Sequence, residues 1–356
     1  MNAIELLKNY KKKLEPFLKR YFRRKISQAG EIDPLAKQAV KMIADFTLAS
    51  GKRIRPALVY YGYLAAGGKD GKEIVEASMA IELLHSFLLM HDDIIDRDAK
   101  RHNIATIHEQ YRKIGASMAP RKDSVHFGNS MAIITGDMTA AMANEIIFNA
   151  DFPPEIIIQA LDKLQNIVYT TIPGEMLDVV LENRGRATEK EILEMFEGKT
   201  SRYTFEGPLH LGSILAGGDE KMLAHFTRYA LPLGKAFQIR DDILGVFGKE
   251  DKIGKPVGSD VVEGKQTLLL VKALEKGNQR QRDILKNLLG KKDLTSGELE
   301  NFREIIKETG SLAYCRNLAD NLAEESLEAL AEMKFKNNQA ETFLAGLPEY
   351  IVSRDF

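Results

Sequence analysis

The sequence predicts an all-α protein, a single large helical bundle enclosing a central cavity. Three observations carry that prediction. Apolar residues recur at three- and four-residue spacings through long stretches rich in Ala, Leu, Glu, Lys and Met, no run alternates convincingly as a strand would, and breakers fall between the periodic stretches. No repeat period and no long linker composition is present, so 1–356 reads as one domain.

Taken in order, the chain opens with Leu6 to Lys25, a basic segment carrying Lys11-Lys12-Lys13 and Arg23-Arg24-Lys25 and broken by Pro16. It reads as a helical hairpin over 1–30 packed on the bundle with a solvated face; weak attraction to anionic lipid is the alternative. After the break at Ser50-Gly51 comes Gly51-Lys52-Arg53-Ile54-Arg55-Pro56. Three cations in four residues make a poor core and a good anion site, since ammonium and guanidinium groups can grip the same diphosphate.

A helix is expected over Ile74 to Met90, and it runs into His91-Asp92-Asp93-Ile94-Ile95-Asp96-Arg97-Asp98. On a helix Asp92 and Asp96 share a face, while Asp93 lies about 100° around from Asp92. Like charges at that spacing repel and call for a cation. Carboxylate oxygens suit a hard divalent ion such as Mg²⁺, which fills its octahedron with water and substrate phosphates. A solvated acidic helix end is the bland alternative.

Helices over Ser130 to Phe148, Glu155 to Tyr169 and Leu318 to Met333 follow the same periodicity, with breaks at 151–154, Gly217-Gly218 and Leu347-Pro348. Phe237-Gln238-Ile239-Arg240-Asp241-Asp242 repeats the pattern of an apolar helix ending in paired aspartates. Two such ends facing one another would hold metal ions, with a diphosphate as the bridging ligand.

Composition excludes several classes. A net charge of −1 argues against a dedicated nucleic-acid binder. The single Cys315 cannot form an internal disulfide and suits a reducing compartment, where it serves as a small buried side chain. No apolar run reaches the roughly 18 residues of a membrane span, and the N-terminus lacks a secretory apolar core. A cytoplasmic protein is expected.

The paired aspartate motifs resemble those of the trans-isoprenyl diphosphate synthases, the polyprenyl synthetase family, from about Gly51 to Thr267 and more loosely beyond. The resemblance implies a Mg²⁺-dependent prenyltransferase that condenses isopentenyl diphosphate with an allylic diphosphate. Metal ligands would be Asp92, Asp93, Asp96, Asp241 and Asp242. Lys52, Arg55 and His85 would bind isopentenyl diphosphate. Arg101, Gln238, Lys255 and Lys265 would meet the allylic diphosphate or its metals, with Asp260 behind them. In Gly198-Lys199-Thr200-Ser201-Arg202-Tyr203, Lys199 would meet the leaving diphosphate and Thr200 and Tyr203 the reacting carbons. The family also implies a homodimer.

Several positions depart from the family pattern, among them Asn103 and Ala105, which replace a glycine and a proline. His102 stands in place of a second arginine and gives up its fixed charge and fork. Glu175 replaces a glutamine, and Gly245 stands where a third aspartate is often found. Phe87, five positions or about 7.5 Å before Asp92, is a single aromatic of the kind found in archaeal-type geranylgeranyl diphosphate synthases. Geranylgeranyl diphosphate is therefore the expected product, with farnesyl diphosphate next. A non-catalytic partner subunit, a class I terpene cyclase and a metal-dependent phosphohydrolase using His85, His91 and His102 are the competing readings.

Overall fold

A computed structural model describes residues 1–49, 51–101, 104–248 and 257–353. Its described residues are almost entirely helical and divide into two compact units. Unit 1 comprises Met1–Leu164, Leu211–Gly218 and Lys336–Ala340; unit 2 comprises Gln165–His210, Asp219–Phe335 and Glu341–Phe356. One departure from an all-helical reading is a two-residue antiparallel pair, β1 (Lys100–Arg101) with β2 (Ile104–Ala105).

Unit 1 begins with α1 (Ala3–Ile32), α2 (Pro34–Ala49), α3 (Ile54–Ala65) and α4 (Lys72–Ile95). Pro16 does not break α1. It lies on the exposed side, and the buried stripe of Leu6, Tyr10, Leu14, Leu18 and Phe22 continues past it, so packing outweighs the one backbone bond that proline removes. A capping box at Asn2 and Glu5 fixes the start of α1. The helix packs on α2, and the hairpin expected within 1–30 is instead a single helix.

Helix α4 is the core of the unit and packs against α3 and against α6 (Ser124–Phe148), which itself packs on α5 (Ile107–Met118). Most of α4 is buried, from Ile74 to Met90. It is long and apolar enough to cross a membrane by composition alone, but 67% of its most apolar window is buried within the protein, as a core helix requires. Helix α6 starts at Asp123, whose side chain accepts from the backbone N–H groups of Val125 and His126, so it begins six residues before the expected Ser130.

Helix α7 (Pro154–Arg184) leads into unit 2, followed by α8 (Glu189–Phe196), a π-helix (Glu197–Glu206) and α9 (Gly207–Leu215). Beyond these lie α10 (Glu220–Phe247), α11 (Ser259–Glu263), α12 (Leu268–Lys276), α13 (Gln279–Leu288), α14 (Ser296–Glu308), α15 (Ser311–Ala331) and α16 (Asn338–Val352). The core of unit 2 joins Phe196, Ile239, Ile243, Leu269, Phe302 and Ile306. Pro348, expected as a breaker, lies inside α16. Leu344, Leu347 and Ile351 are all buried and hold the helix through it.

One buried ion pair in unit 1 ties α3 to α4. The guanidinium of Arg53 donates to the carboxylate of Glu82, and both side chains are almost fully buried. Removing one partner strands the other charge. Glu82→Ala should therefore cost about 3–5 kcal/mol, read as a lower urea midpoint by circular dichroism; an unchanged midpoint would show that water reaches Arg53.

Candidate active site

The first aspartate motif closes α4. Asp92 and Asp93 occupy its last turn, and Asp96 is the C-cap, its N–H bonded to the carbonyl of Asp92 at 2.8 Å. Arg97 then takes the left-handed conformation, with φ of 59°. A non-glycine residue there costs roughly 1–2 kcal/mol, and it turns the chain so that Asp98 N–H bonds back to Asp93 C=O at 2.9 Å. The β1–β2 pair folds back beside the helix end and delivers Arg101.

Arg101 clamps three carboxylates. Its Nε donates to Asp93 Oδ1 at 2.6 Å, and its Nη2 reaches Asp92 at 3.1 Å and Asp98 at 3.4 Å. The resemblance assigned this guanidinium to the allylic diphosphate; in this structure its partners are the aspartates themselves. Burial pushes the Asp93 carboxyl up to about 7, against the opposing pull of Arg101.

The basic motif precedes α3 in the same unit. Arg53, its second cation, has φ of 59° and turns inward to Glu82, while Lys52 is exposed. Among the described residues the two non-glycine residues with positive φ are Arg53 and Arg97, and each stands in a motif singled out from sequence. Arg55 Nη1 lies 3.0 Å from His85 Nε2, so the neutral ring accepts from the guanidinium. Thus Arg55 and His85, 30 residues apart, are brought together. Phe87 is half-buried and packs edge-on against His91 at 4.9 Å between ring centroids.

Unit 2 holds the second motif on α10. Asp241 is exposed and Asp242 buried, as Asp92 is the more open and Asp93 the buried member of the first pair. Gln238, one turn earlier, donates to Asp242 Oδ1 at 2.8 Å and accepts from Thr200 Oγ1 at 2.7 Å. Burial raises the Asp242 carboxyl well above the usual range, and Asp260 and Asp241 push the same way. Gly245 is explained here: a Cβ at that position would lie 2.6 Å from Asp260 Oδ2, so a carboxylate from α11 fills the space beside it.

Lys199, Thr200 and Tyr203 lie on the π-helix, a rare winding that recurs at functional sites. Tyr203 is buried. The π-helix meets α7 through glycine: a Cβ on Gly174 would stand 2.3 Å from the backbone N of Lys199. This approach lets α7 present carboxylates to Lys199, whose ammonium sits 2.9 Å from Glu175 and 2.6 Å from Asp178. Lys265 Nζ lies 3.9 Å from the same Asp178. Sequence reasoning gave Asp178 no role, although its three-residue spacing from Glu175 on a helix was a usable signal. His102 and Lys255 lie outside the described residues.

The donor set fits a hard divalent cation. Asp93 Oδ2 and Asp242 Oδ2 are buried oxygens with no hydrogen-bond partner, one in each motif. Among the described residues no three carboxylate, histidine or cysteine side chains form a ready metal cluster. An ion held by one or two carboxylates per motif would complete its shell with phosphate oxygens and water, as Mg²⁺ does.

Comparison with known proteins follows the same lines. The family profile described as polyprenyl synthetase matches residues 37–306. The chain belongs to the polyprenyl synthetase family. A geranylgeranyl diphosphate synthase of Saccharolobus solfataricus is 35% identical over 315 residues, covering 86% of this chain and 87% of that protein. One from Methanosarcina mazei is 32% identical over 308 residues, with 86% and 87% covered. Among solved structures, geranylgeranyl pyrophosphate synthase from Corynebacterium glutamicum, complexed with isoprenyl diphosphate and magnesium, superposes with a TM-score of 0.91 at 27% identity over 100% of both chains. The polyprenyl synthetases are helical proteins, in agreement with the fold seen here.

Asp93 gives a pH test. Below about 7 its carboxyl is protonated, and above that it adds a negative charge beside Asp92. Mg²⁺ binding in the presence of inorganic diphosphate, followed by calorimetry, should strengthen several-fold from about pH 6 to about pH 8. Asp93→Asn should flatten that rise to what diphosphate alone contributes; an equal slope in the variant would remove Asp93 from the account.

Proposed function

We propose that this prenyltransferase condenses isopentenyl diphosphate with a shorter allylic diphosphate to give geranylgeranyl diphosphate, using Mg²⁺. The observation that carries the reading is that each unit carries an aspartate motif with a buried carboxylate oxygen left without a partner, and that unit 1 also joins Arg55 to His85. The two units are proposed to serve as one catalytic domain, since the reaction draws on both motifs.

In this mechanism Asp92, Asp96 and Asp241 would hold the metal, with Asp93 and Asp242, steadied by Arg101 and Gln238, offering it their remaining buried oxygens. The bound ions supply positive charge against the departing diphosphate. Lys199, Lys265 and Lys255 bind the oxygens of that diphosphate, and Arg101 joins them. Thr200 and Tyr203 line the reacting carbons. The carbon–oxygen bond breaks to leave an allylic cation, and Lys52, Arg55 and His85 fix isopentenyl diphosphate so that its double bond attacks that cation. A proton then leaves the new chain for the released diphosphate. Orientation and exclusion of water supply most of the rate, because water would capture the allylic cation.

The chain is proposed to act in the cytoplasm as a homodimer. Val125, Ile133 and Ile134 leave α6 with an exposed apolar surface that suits such an interface.

Incubation of the purified chain alone with Mg²⁺, isopentenyl diphosphate and each short allylic diphosphate should give geranylgeranyl diphosphate by mass spectrometry. No product would favour the non-catalytic subunit, and a cyclic hydrocarbon the terpene cyclase. Asp92→Ala and Asp241→Ala should each abolish turnover while the helical signal is kept; wild-type turnover in either would overturn the two-motif mechanism.

Phe87 tests product length separately. If the chain grows along α4 from the aspartates, Phe87→Ala deepens the pocket and shifts product to longer chains. An unchanged distribution would move the floor to another residue, such as the buried Leu84.

A further inference from the structure

Helix α1 carries two sets of cations. The half-buried ones are matched: Lys13 with Asp70, Lys25 with Glu145, and Lys11 with Glu15. Lys8, Lys12, Lys19, Arg20, Arg23 and Arg24 are exposed, and none of these six has an ion-pair partner among the described residues. Positions 8, 12, 19 and 23 return to one side of the helix, where Glu15 between them is paired with Lys11, and 20 and 24 flank them, so the excess positive charge forms a stripe about 24 Å long. For a chain with a net charge of −1, this is a strong local excess.

The stripe has shape as well as charge. Around Pro16, which carries no long side chain, a groove of about 470 Å³ is lined by Lys12, Glu15, Lys19, Arg20 and Arg23. Arg20 rests over the ring of Phe17 at 5.2 Å and Arg24 over Tyr21 at 5.6 Å, which limits the freedom these side chains lose on binding.

We propose that the outer face of α1 docks this protein on an anionic lipid surface, with the groove at Pro16 receiving a phosphate headgroup. A second copy of the same face is excluded by like-charge repulsion. A nucleic acid is disfavoured because the nearby rings, Phe17 and Tyr21, already carry arginines and present no open platform for bases. Ile4 is the one large hydrophobic that α1 exposes before the stripe, and none lies within it, so the helix adsorbs through charge instead of inserting an apolar face. The interaction is accordingly weakened by salt.

Flotation of the full chain with vesicles tests this directly. It should bind phosphatidylcholine vesicles containing about 30 mol% phosphatidylglycerol and not pure phosphatidylcholine, and release on raising salt from about 0.05 to about 0.5 M. The triple variant Lys12→Glu, Lys19→Glu, Arg23→Glu should lose at least about tenfold in binding, while the corresponding glutamine variant falls between. Both should keep the helical signal of the parent, because these side chains are exposed and make no ion pair among the described residues. Equal binding to neutral vesicles, retention of binding by the glutamate variant, or a shift of a short RNA without vesicle binding would each overturn the proposal.

Discussion

Paired carboxylates set at or near the C-terminal ends of apolar helices are the constraint from which the rest of this protein follows. The end of a helix already carries partial negative charge, so Asp92, Asp93 and Asp96 crowd like charge onto a like pole. Burial of Asp93 makes the crowding worse. Unit 1 answers with a fixed cation: a strained Arg97, a short strand pair and the fork of Arg101 bring one guanidinium to three carboxylates. Unit 2 answers differently. It gives Asp242 an amide donor in Gln238 and places Lys199 and Lys265 at Asp178. A lysine is a mobile point charge, better suited than a guanidinium fork to trade a carboxylate for a phosphate oxygen.

Much of this was legible in the sequence. Helical periodicity marked the main helices and their breaks, because burying one side of a helix imposes a period that survives in one dimension. The aspartate pairs and the basic motif stood out as charge in places where a core would have none. What stayed hidden was long-range or backbone-level. The continuity of α1 through Pro16 depends on Leu14 and Leu18 being buried by partners distant in sequence, while local propensity alone favours a break. The π-helix leaves no compositional trace, and the close approach of its backbone to Gly174 is a contact between residues distant in sequence. The inward turn of Arg53 needed knowledge of Glu82, 29 residues away.

Two departures from the family pattern acquire physical meaning from the structure. With Asp260 beside it, Gly245 leaves room for a carboxylate supplied from elsewhere in the chain, so the second motif keeps its acidity without its third aspartate. Glu175 has the opposite effect on its neighbour. By standing 2.9 Å from Lys199 together with Asp178, it divides one cation between two anions, where a glutamine would leave a single full pair.

Cys315 is fully buried in the core of unit 2, and burial pushes its thiol up to about 12. An alkylating reagent therefore meets a protonated, shielded sulfur until that core opens. Because the chain has no other thiol, its rate of labelling would report the opening of unit 2 and be silent about unit 1. The protein thus carries its own probe of the opening of that one core, without an engineered label.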